Sequence, residues 1–321
     1  MIELAGLTKR YGLKTAVREL TCVIRPGQVT GFLGPNGAGK STTMRMILGL
    51  DHPTAGRALV EGRPYARLTE PLTVVGALLE ARAVHPGRTA FHHLLCLAQS
   101  NGIPRRRVGQ VLDLVGLGEV AAKRPKGFSL GMGQRLGIAS ALLGDPRILI
   151  FDEPVNGLDP EGIHWVRNLI RRLAAEGRTV FVSSHLMSEM ALTADHLIVI
   201  GQGQLLADTS MAGFIEENAR SYTRVSSPDR ERLMDALNSV GLVATPATGP
   251  GADGALDLEG DQTVAVGELA AERRLVLHEL CHHRASLEEA FMRLTRQSVE
   301  YQAGDDAEGR RGAANRQGWG G

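Results

Sequence analysis

Apolar positions in the first two hundred residues follow two alternating patterns, short unbroken runs and stripes at three- and four-residue steps. Val29–Leu33, Ile148–Phe151 and Thr179–Ser183 are apolar or β-branched runs of strand length; Asp-Pro and Gly-Arg breaks precede the last two. Ser41–Leu50 puts Met44, Ile47 and Leu48 on one helical face, and Pro160–Glu176 does the same with Ile163, Val166, Ile170 and Leu173. Strand, helix, strand in that order is a βαβ unit, so this part reads as α/β, a parallel sheet covered by helices. From about His85 to Leu143 no strand-like run occurs. Phe91–Asn101, Val108–Val115 and Gln134–Leu143 read as the helices of an insert over about 85–143. Leu197–Ile200 and Leu205–Ala207 flank Gly201–Gly203 as a hairpin turn.

The pattern changes near Arg220. Tyr222–Ser226, Gly241–Thr245, Ala255–Leu258 and Leu275–Leu280 read as strands, with Asp229–Val240, Thr263–Glu272 and Ser286–Arg296 as helices. A βαββαβ order with a final helix predicts a small α+β, ferredoxin-like unit. The Thr245–Asp253 break is a loop inside it. The tail from Ala303, rich in glycine and charge, reads as disordered. The expected divisions are 1–219, 220–299 and 300–321.

With 321 residues, the chain has material for about two domains. Its 36 basic and 35 acidic side chains balance to a formal net charge of +1, which disfavours a general nucleic-acid or polybasic membrane binder. Cys22, Cys96 and Cys281 show no CxxC spacing, which excludes a disulfide scaffold or zinc ribbon and fits a reducing cytosol. No apolar run approaches the ~20 residues of a membrane span, and the start, with Glu3 and no long apolar stretch, does not read as a signal peptide. His92, His93 and Cys96 share a helical turn without a fourth ligand, and Cys281, His282 and His283 alternate in direction along a strand; neither reads as a metal site.

The strongest chemical signal is Gly34-Pro35-Asn36-Gly37-Ala38-Gly39-Lys40-Ser41-Thr42, placed between a strand and a helix. Glycines let backbone N–H groups converge on phosphate oxygens, and the following helix N-terminus adds a favourable field. Lys40 reaches the β- and γ-phosphates, and the Ser41 hydroxyl suits Mg²⁺. Ile148–Phe151 then runs into Asp152 and Glu153, a carboxylate for the Mg²⁺ shell and one to orient and deprotonate the attacking water.

Over about residues 1–215 the chain resembles the nucleotide-binding subunit of an ABC transporter, and the motifs occur in the family's order. The resemblance implies an ABC-type P-loop ATPase core with an antiparallel β part and a helical subdomain, ATP and Mg²⁺ as cofactors, and hydrolysis to ADP and phosphate. It makes Tyr11 the aromatic that stacks on adenine and His185 the switch residue at the γ-phosphate. Ser129, Gly131 and Met132 fall in the signature that contacts the nucleotide of a second copy in an ATP-sandwich dimer, and Asp159 ends the D-loop. Two motifs depart from the family pattern. The signature reads FSLGM, with Leu130 for its first glycine and Met132 for its glutamine, and Glu80 replaces the glutamine expected near the Mg²⁺. Both departures are similar to the bacitracin- and daunorubicin-type export ATPases. The implied partner is a multi-span permease, which places the chain peripherally on the cytoplasmic face of the cell membrane. The competing class is a soluble ABC ATPase acting on nucleic acid or the ribosome. Such proteins carry paired cassettes, a coiled-coil insert or zinc cysteines, none of which occurs here.

Overall fold

The computed structural model describes residues 1–80, 83–218, 221–247, 254–284 and 287–295; the tail expected to be disordered lies outside these. A six-stranded sheet forms the centre, in the order β5 (Val75–Leu78), β6 (Ile148–Asp152), β7 (Thr179–Ser184), β3 (Val29–Leu33), β8 (His196–Gly201) and β9 (Gln204–Ser210). All neighbours pair in parallel except β9, which turns back on β8 at Gln202 and Gly203. Every residue of β3 and β7 is buried, as expected for strands covered on both faces. Parallel pairing brings the C-terminal ends of β3, β6 and β7 to one edge of the sheet, with Leu33 opposite Ser184 and Asp152 opposite Ser183. Loops leaving such an edge are where α/β sheets bind ligands.

One face is covered by an antiparallel sheet, β2 (Lys14–Ile24), β1 (Ile2–Tyr11) and β4 (Ala55–Val60), and by α1 (Lys40–Ile47). Ile2, Leu7, Leu20 and Ile24 meet Phe32, Met44 and Phe181 in one core there. The other face carries the helical insert, α3 (Ala90–Ser100), α4 (Arg105–Leu114) and α5 (Leu130–Leu142), with α6 (Pro160–Ala175) and α7 (Met187–Thr193). In α6 the expected stripe buries Val166, Ile170 and Leu173, Pro160 starts the helix, and the Asp159 carboxylate caps it by accepting from Gly162 N–H at 2.9 Å. No helix among the described residues is long and apolar enough to cross a membrane.

The second part holds β10 (Ser221–Ser226), α9 (Arg230–Ser239), β11 (Ala244–Pro246), β12 (Leu256–Glu259), α10 (Thr263–Arg273) and β13 (Glu279–Arg284). Its strand order, β11-β12-β10-β13, is the antiparallel ferredoxin-like arrangement, with its own core of Val225, Leu233, Leu237, Leu256 and Leu258.

Three expectations change. The strand expected over Leu275–Leu280 runs instead over Glu279–Arg284: α10 ends on a left-handed Arg274, and Leu275 and Leu277 pack onto the small core as a connector. The stretch Thr73–Leu79 before Glu80, which reads in the sequence as one strand, is split, because Pro71 opens a helical turn, α2 (Pro71–Val74), before β5. Finally α11 (Leu287–Thr295), grouped by periodicity with the C-terminal unit, packs on α7 and on α8 (Met211–Asn218), and its Ala290 and Phe291 join the main core.

Candidate active site

The glycine-rich loop leaves β3 and enters α1 through Gly39, whose φ of 103° is open only to glycine. A side chain there would also meet the Ala16 carbonyl oxygen at 2.5 Å. Gly203 N–H donates to Ala38 O at 3.0 Å, so the β8–β9 hairpin holds the loop from the other side. Converging N–H groups and the first turn of α1 leave an anion cradle at this edge, with Ser41 exposed and Thr42 half-buried beside it.

Lys40 is buried, and its Nζ donates to Gly34 O at 2.6 Å and Pro35 O at 3.2 Å. Burial pushes its ammonium below the usual lysine range; Glu153 and Asp152 oppose that shift. Glu153 Oε1 lies 3.8 Å from Lys40 Nζ, and Glu153 Oε2 lies 2.9 Å from His185 Nδ1. Three segments distant in sequence thus meet on one carboxylate. Glu153 itself has a left-handed backbone, φ 50°. Asp152, at the tip of β6, accepts a hydrogen bond from the Ser183 hydroxyl, and that same oxygen accepts from Glu153 N–H at 3.0 Å.

The oxygen donors Asp152 and Ser41 are the chemistry that Mg²⁺ takes, with few protein ligands and the rest supplied by phosphates and water. Among the described residues no trio of His, Cys, Asp or Glu side chains is grouped to hold a metal. Glu80 is exposed beyond the end of β5, and no ion pair among the described residues ties it to Lys40. His92 pairs its ring with the Thr89 hydroxyl at 2.8 Å, and His93 is buried, which pushes its pKa down.

Tyr11 ends β1 half-exposed. Its hydroxyl donates to Asp51 Oδ2 at 3.0 Å, and Arg45 of α1 donates to the same oxygen at 2.8 Å. Partial desolvation and Asp51 both push the phenol's pKa up. The ring is thereby tied to the helix that follows the glycine-rich loop. Ser129 caps α5: its hydroxyl oxygen accepts from Met132 N–H at 3.2 Å, leaving the O–H to donate outward. As first-turn residues, Leu130 and Gly131 carry N–H groups without partners inside the helix. No hydrogen bond or ion pair joins Ser129, Gly131 or Met132 to the glycine-rich loop among the described residues. Leu130 lies against Gly157, which has φ 72°, so the turn at Ser129–Met132 and the loop at Asn156–Asp159 pack within one chain.

Two residues at the site were not singled out from the sequence. Ser183 is a fully buried hydroxyl near the end of β7, directly after the apolar Val180–Val182. Gln134 is a buried amide in the apolar helix α5 and donates Nε2 to Pro154 O at 2.8 Å and Glu153 O at 3.3 Å. What marks both is burial of a polar side chain that is satisfied by the loop carrying Glu153.

The family described as ABC transporter matches residues 17–156, and a domain of unknown function matches 221–288. The chain is 34% identical over 304 residues to the ABC transporter ATP-binding protein YhcH of Bacillus subtilis (strain 168), covering 94% of this chain and 97% of that one. It is 41% identical over 237 residues to the bacitracin transport ATP-binding protein BcrA of Bacillus licheniformis, covering 73% and 77%. The solved dimeric structure of MJ0796, a bacterial ABC transporter cassette, superposes with a TM-score of 0.61 at 26% identity, over 66% of this chain and 99% of that one. The chain belongs to the ATP-binding proteins of ABC transporters and is an ATPase.

Proposed function

We propose that this chain hydrolyses ATP to drive export of a peptide antibiotic or similar amphipathic compound through a separate membrane permease. The meeting of Lys40, Glu153 and His185 on one carboxylate carries the reading of the chemistry. The relatives named for bacitracin transport and for lantibiotic transport, the latter SrtF of Streptococcus pyogenes at 37% identity, support the substrate class.

In this reading Gly34, Pro35, Asn36, Gly37, Ala38 and Gly39 wrap the phosphates with backbone N–H groups. Lys40 exchanges its two carbonyl partners for phosphate oxygens. Ser41 and Asp152 would hold Mg²⁺, which supplies charge neutralisation at the phosphates. Thr42 borders the cradle, and Tyr11 offers its ring face to the base, where stacking is worth about 1–3 kcal/mol. Glu153 orients and deprotonates the attacking water, and His185, already hydrogen-bonded to it, faces the γ-phosphate. Ser129, Gly131 and Met132 present the outward first turn of α5 to the nucleotide of a second copy, and Asp159 places the D-loop between the two sites. The solved MJ0796 cassette is a dimer, and another structure of it holds ADP and Pi.

Glu80 has a graded expectation. If it meets the Mg²⁺ shell when the site closes, Glu80→Ala slows turnover severalfold while Glu80→Gln keeps most of it. Parent-like steady-state rates in both variants would make Glu80 an ordinary solvated carboxylate.

The permease would dock on the segment from Ala83 to Leu97. A cavity of about 390 Å³ opens there, lined by Arg88, Thr89, His92, Leu95 and Gln99, among others. Phe91, at the start of α3, is not part of the open surface. It is half-buried against the core and covered by the Arg105 guanidinium, 5.0 Å from its ring. The exposed Arg88, His92 and Gln99 and the half-buried Leu95 are left to receive the partner. Coexpression tests this: with its permease the protein sediments with membranes and gives cells resistance to the exported compound. Arg88→Glu with His92→Glu should abolish sedimentation and leave ATP binding intact. Unchanged sedimentation would place the docking site elsewhere.

A further inference from the structure

We propose that Gln134 is a positioning residue for hydrolysis, fixing the backbone of Glu153 so that its carboxylate faces the reacting centre and tying it to the signature helix. The inference rests on the reading of Glu153 as the base. Gln134 is 5% exposed, and its Nε2 donates to the carbonyls of both Glu153, at 3.3 Å, and Pro154, at 2.8 Å. Glu153 has φ 50°, a conformation that non-glycine residues adopt only when their surroundings impose it. The surroundings do so from both sides. Ser183 Oγ accepts from the N–H of Glu153 at 3.0 Å, and Gln134 holds its carbonyl. The peptide units before and after the residue are thus both pinned. Releasing either one lets the backbone relax toward common dihedrals, which swings the carboxylate away from His185 Nδ1, now 2.9 Å away.

The second half of the inference concerns what Gln134 is attached to. It lies on α5, one turn beyond Ser129, Leu130 and Gly131, and Leu130 packs against Gly157 just after Glu153 and Pro154. A shift of α5 is therefore handed to the loop carrying Glu153 through two contacts, one polar and one apolar. In the sandwich dimer α5 of one copy closes over the nucleotide of the other. Gln134 would then make the base in one site sensitive to closure of the opposite site.

The experiment compares Gln134→Leu, Glu153→Gln and the double variant by steady-state ATPase kinetics and by ATP-dependent dimer formation on a sizing column. Gln134→Leu keeps the size of the side chain and removes both donated bonds. We expect kcat to fall roughly 10–100-fold with KM for ATP within about twofold, the pattern of a misplaced catalytic group. Acting through Glu153, it should add nothing to the loss in Glu153→Gln and leave that variant's ATP-bound dimer undiminished. Gln134→Asn, which keeps the amide but falls one carbon short, should show the same kcat loss should the leucine variant misfold. Parent-like kcat in both variants would overturn the proposal. So would a loss carried by KM, or a double variant that no longer dimerises, because either marks a merely structural contact. Parent-rate hydrolysis by Glu153→Gln alone would instead overturn the reading of Glu153 itself, a separable result.

Discussion

Glu153→Gln should bind ATP as tightly as the parent, lower turnover by about 10²–10⁴-fold, and accumulate as an ATP-bound dimer on a sizing column. The amide is nearly isosteric with the carboxylate, so the contact to His185 Nδ1 at 2.9 Å can survive as a neutral hydrogen bond. What disappears is the ability to accept a proton from water, and with it the negative charge 3.8 Å from Lys40 Nζ. That charge now opposes the ATP phosphates, so removing it leaves nucleotide binding unharmed or stronger while the chemical step fails. Binding and chemistry separate because different atoms carry them: the loop N–H groups and Lys40 bind, and the Glu153 oxygens react. A Glu153→Gln protein that stays monomeric in ATP and hydrolyses at the parent rate would remove Glu153 from the mechanism.

The parts of this site readable in the sequence were those written within a few consecutive residues. Glycine spacing before Lys40, and the apolar run ending in Asp152 and Glu153, each declare a local geometry, since strand, loop and helix are set by neighbouring side chains. The helical stripe of α6 and the order of strands around it were legible for the same reason. What stayed hidden depended on contacts between distant segments. Gln134 and Ser183 are ordinary residues until α5 and β7 lie on either side of Glu153, which only the assembled sheet dictates. The tether from Tyr11 to Asp51 and Arg45 is likewise a tertiary product. The shift of β13 has a different cause. Leu275 and Leu277 are apolar because they cover the small core, and an apolar run is equally consistent with a strand and with a packed connector. Periodicity gave α11 its helical character but could not say which core its Phe291 would enter.

Lys40→Ala should abolish turnover, by at least ~10²-fold, and also abolish the rise in melting temperature that ATP gives the parent. A ligand at 100 times its Kd stabilises the folded state by about 2.7 kcal/mol, so the missing rise is readily measured. The fold itself should persist. Burial holds the folded Lys40 pKa below its unfolded value, so the charged side chain costs stability at neutral pH, and that cost fades only as pH rises through the folded value. Alanine removes the cost along with the two bonds to Gly34 O and Pro35 O, two changes of opposite sign in the nucleotide-free protein. In the proposed function the charge of this lysine has one use, neutralising phosphate. Lys40→Arg tests that point separately. It keeps the charge, but its planar fork must fit where a compact ammonium now lies 2.6 and 3.2 Å from two carbonyls, so it should recover little activity. Parent-like ATPase rates and an intact ATP-induced melting shift in Lys40→Ala would sink the nucleotide site at this loop, whatever the behaviour of Glu153.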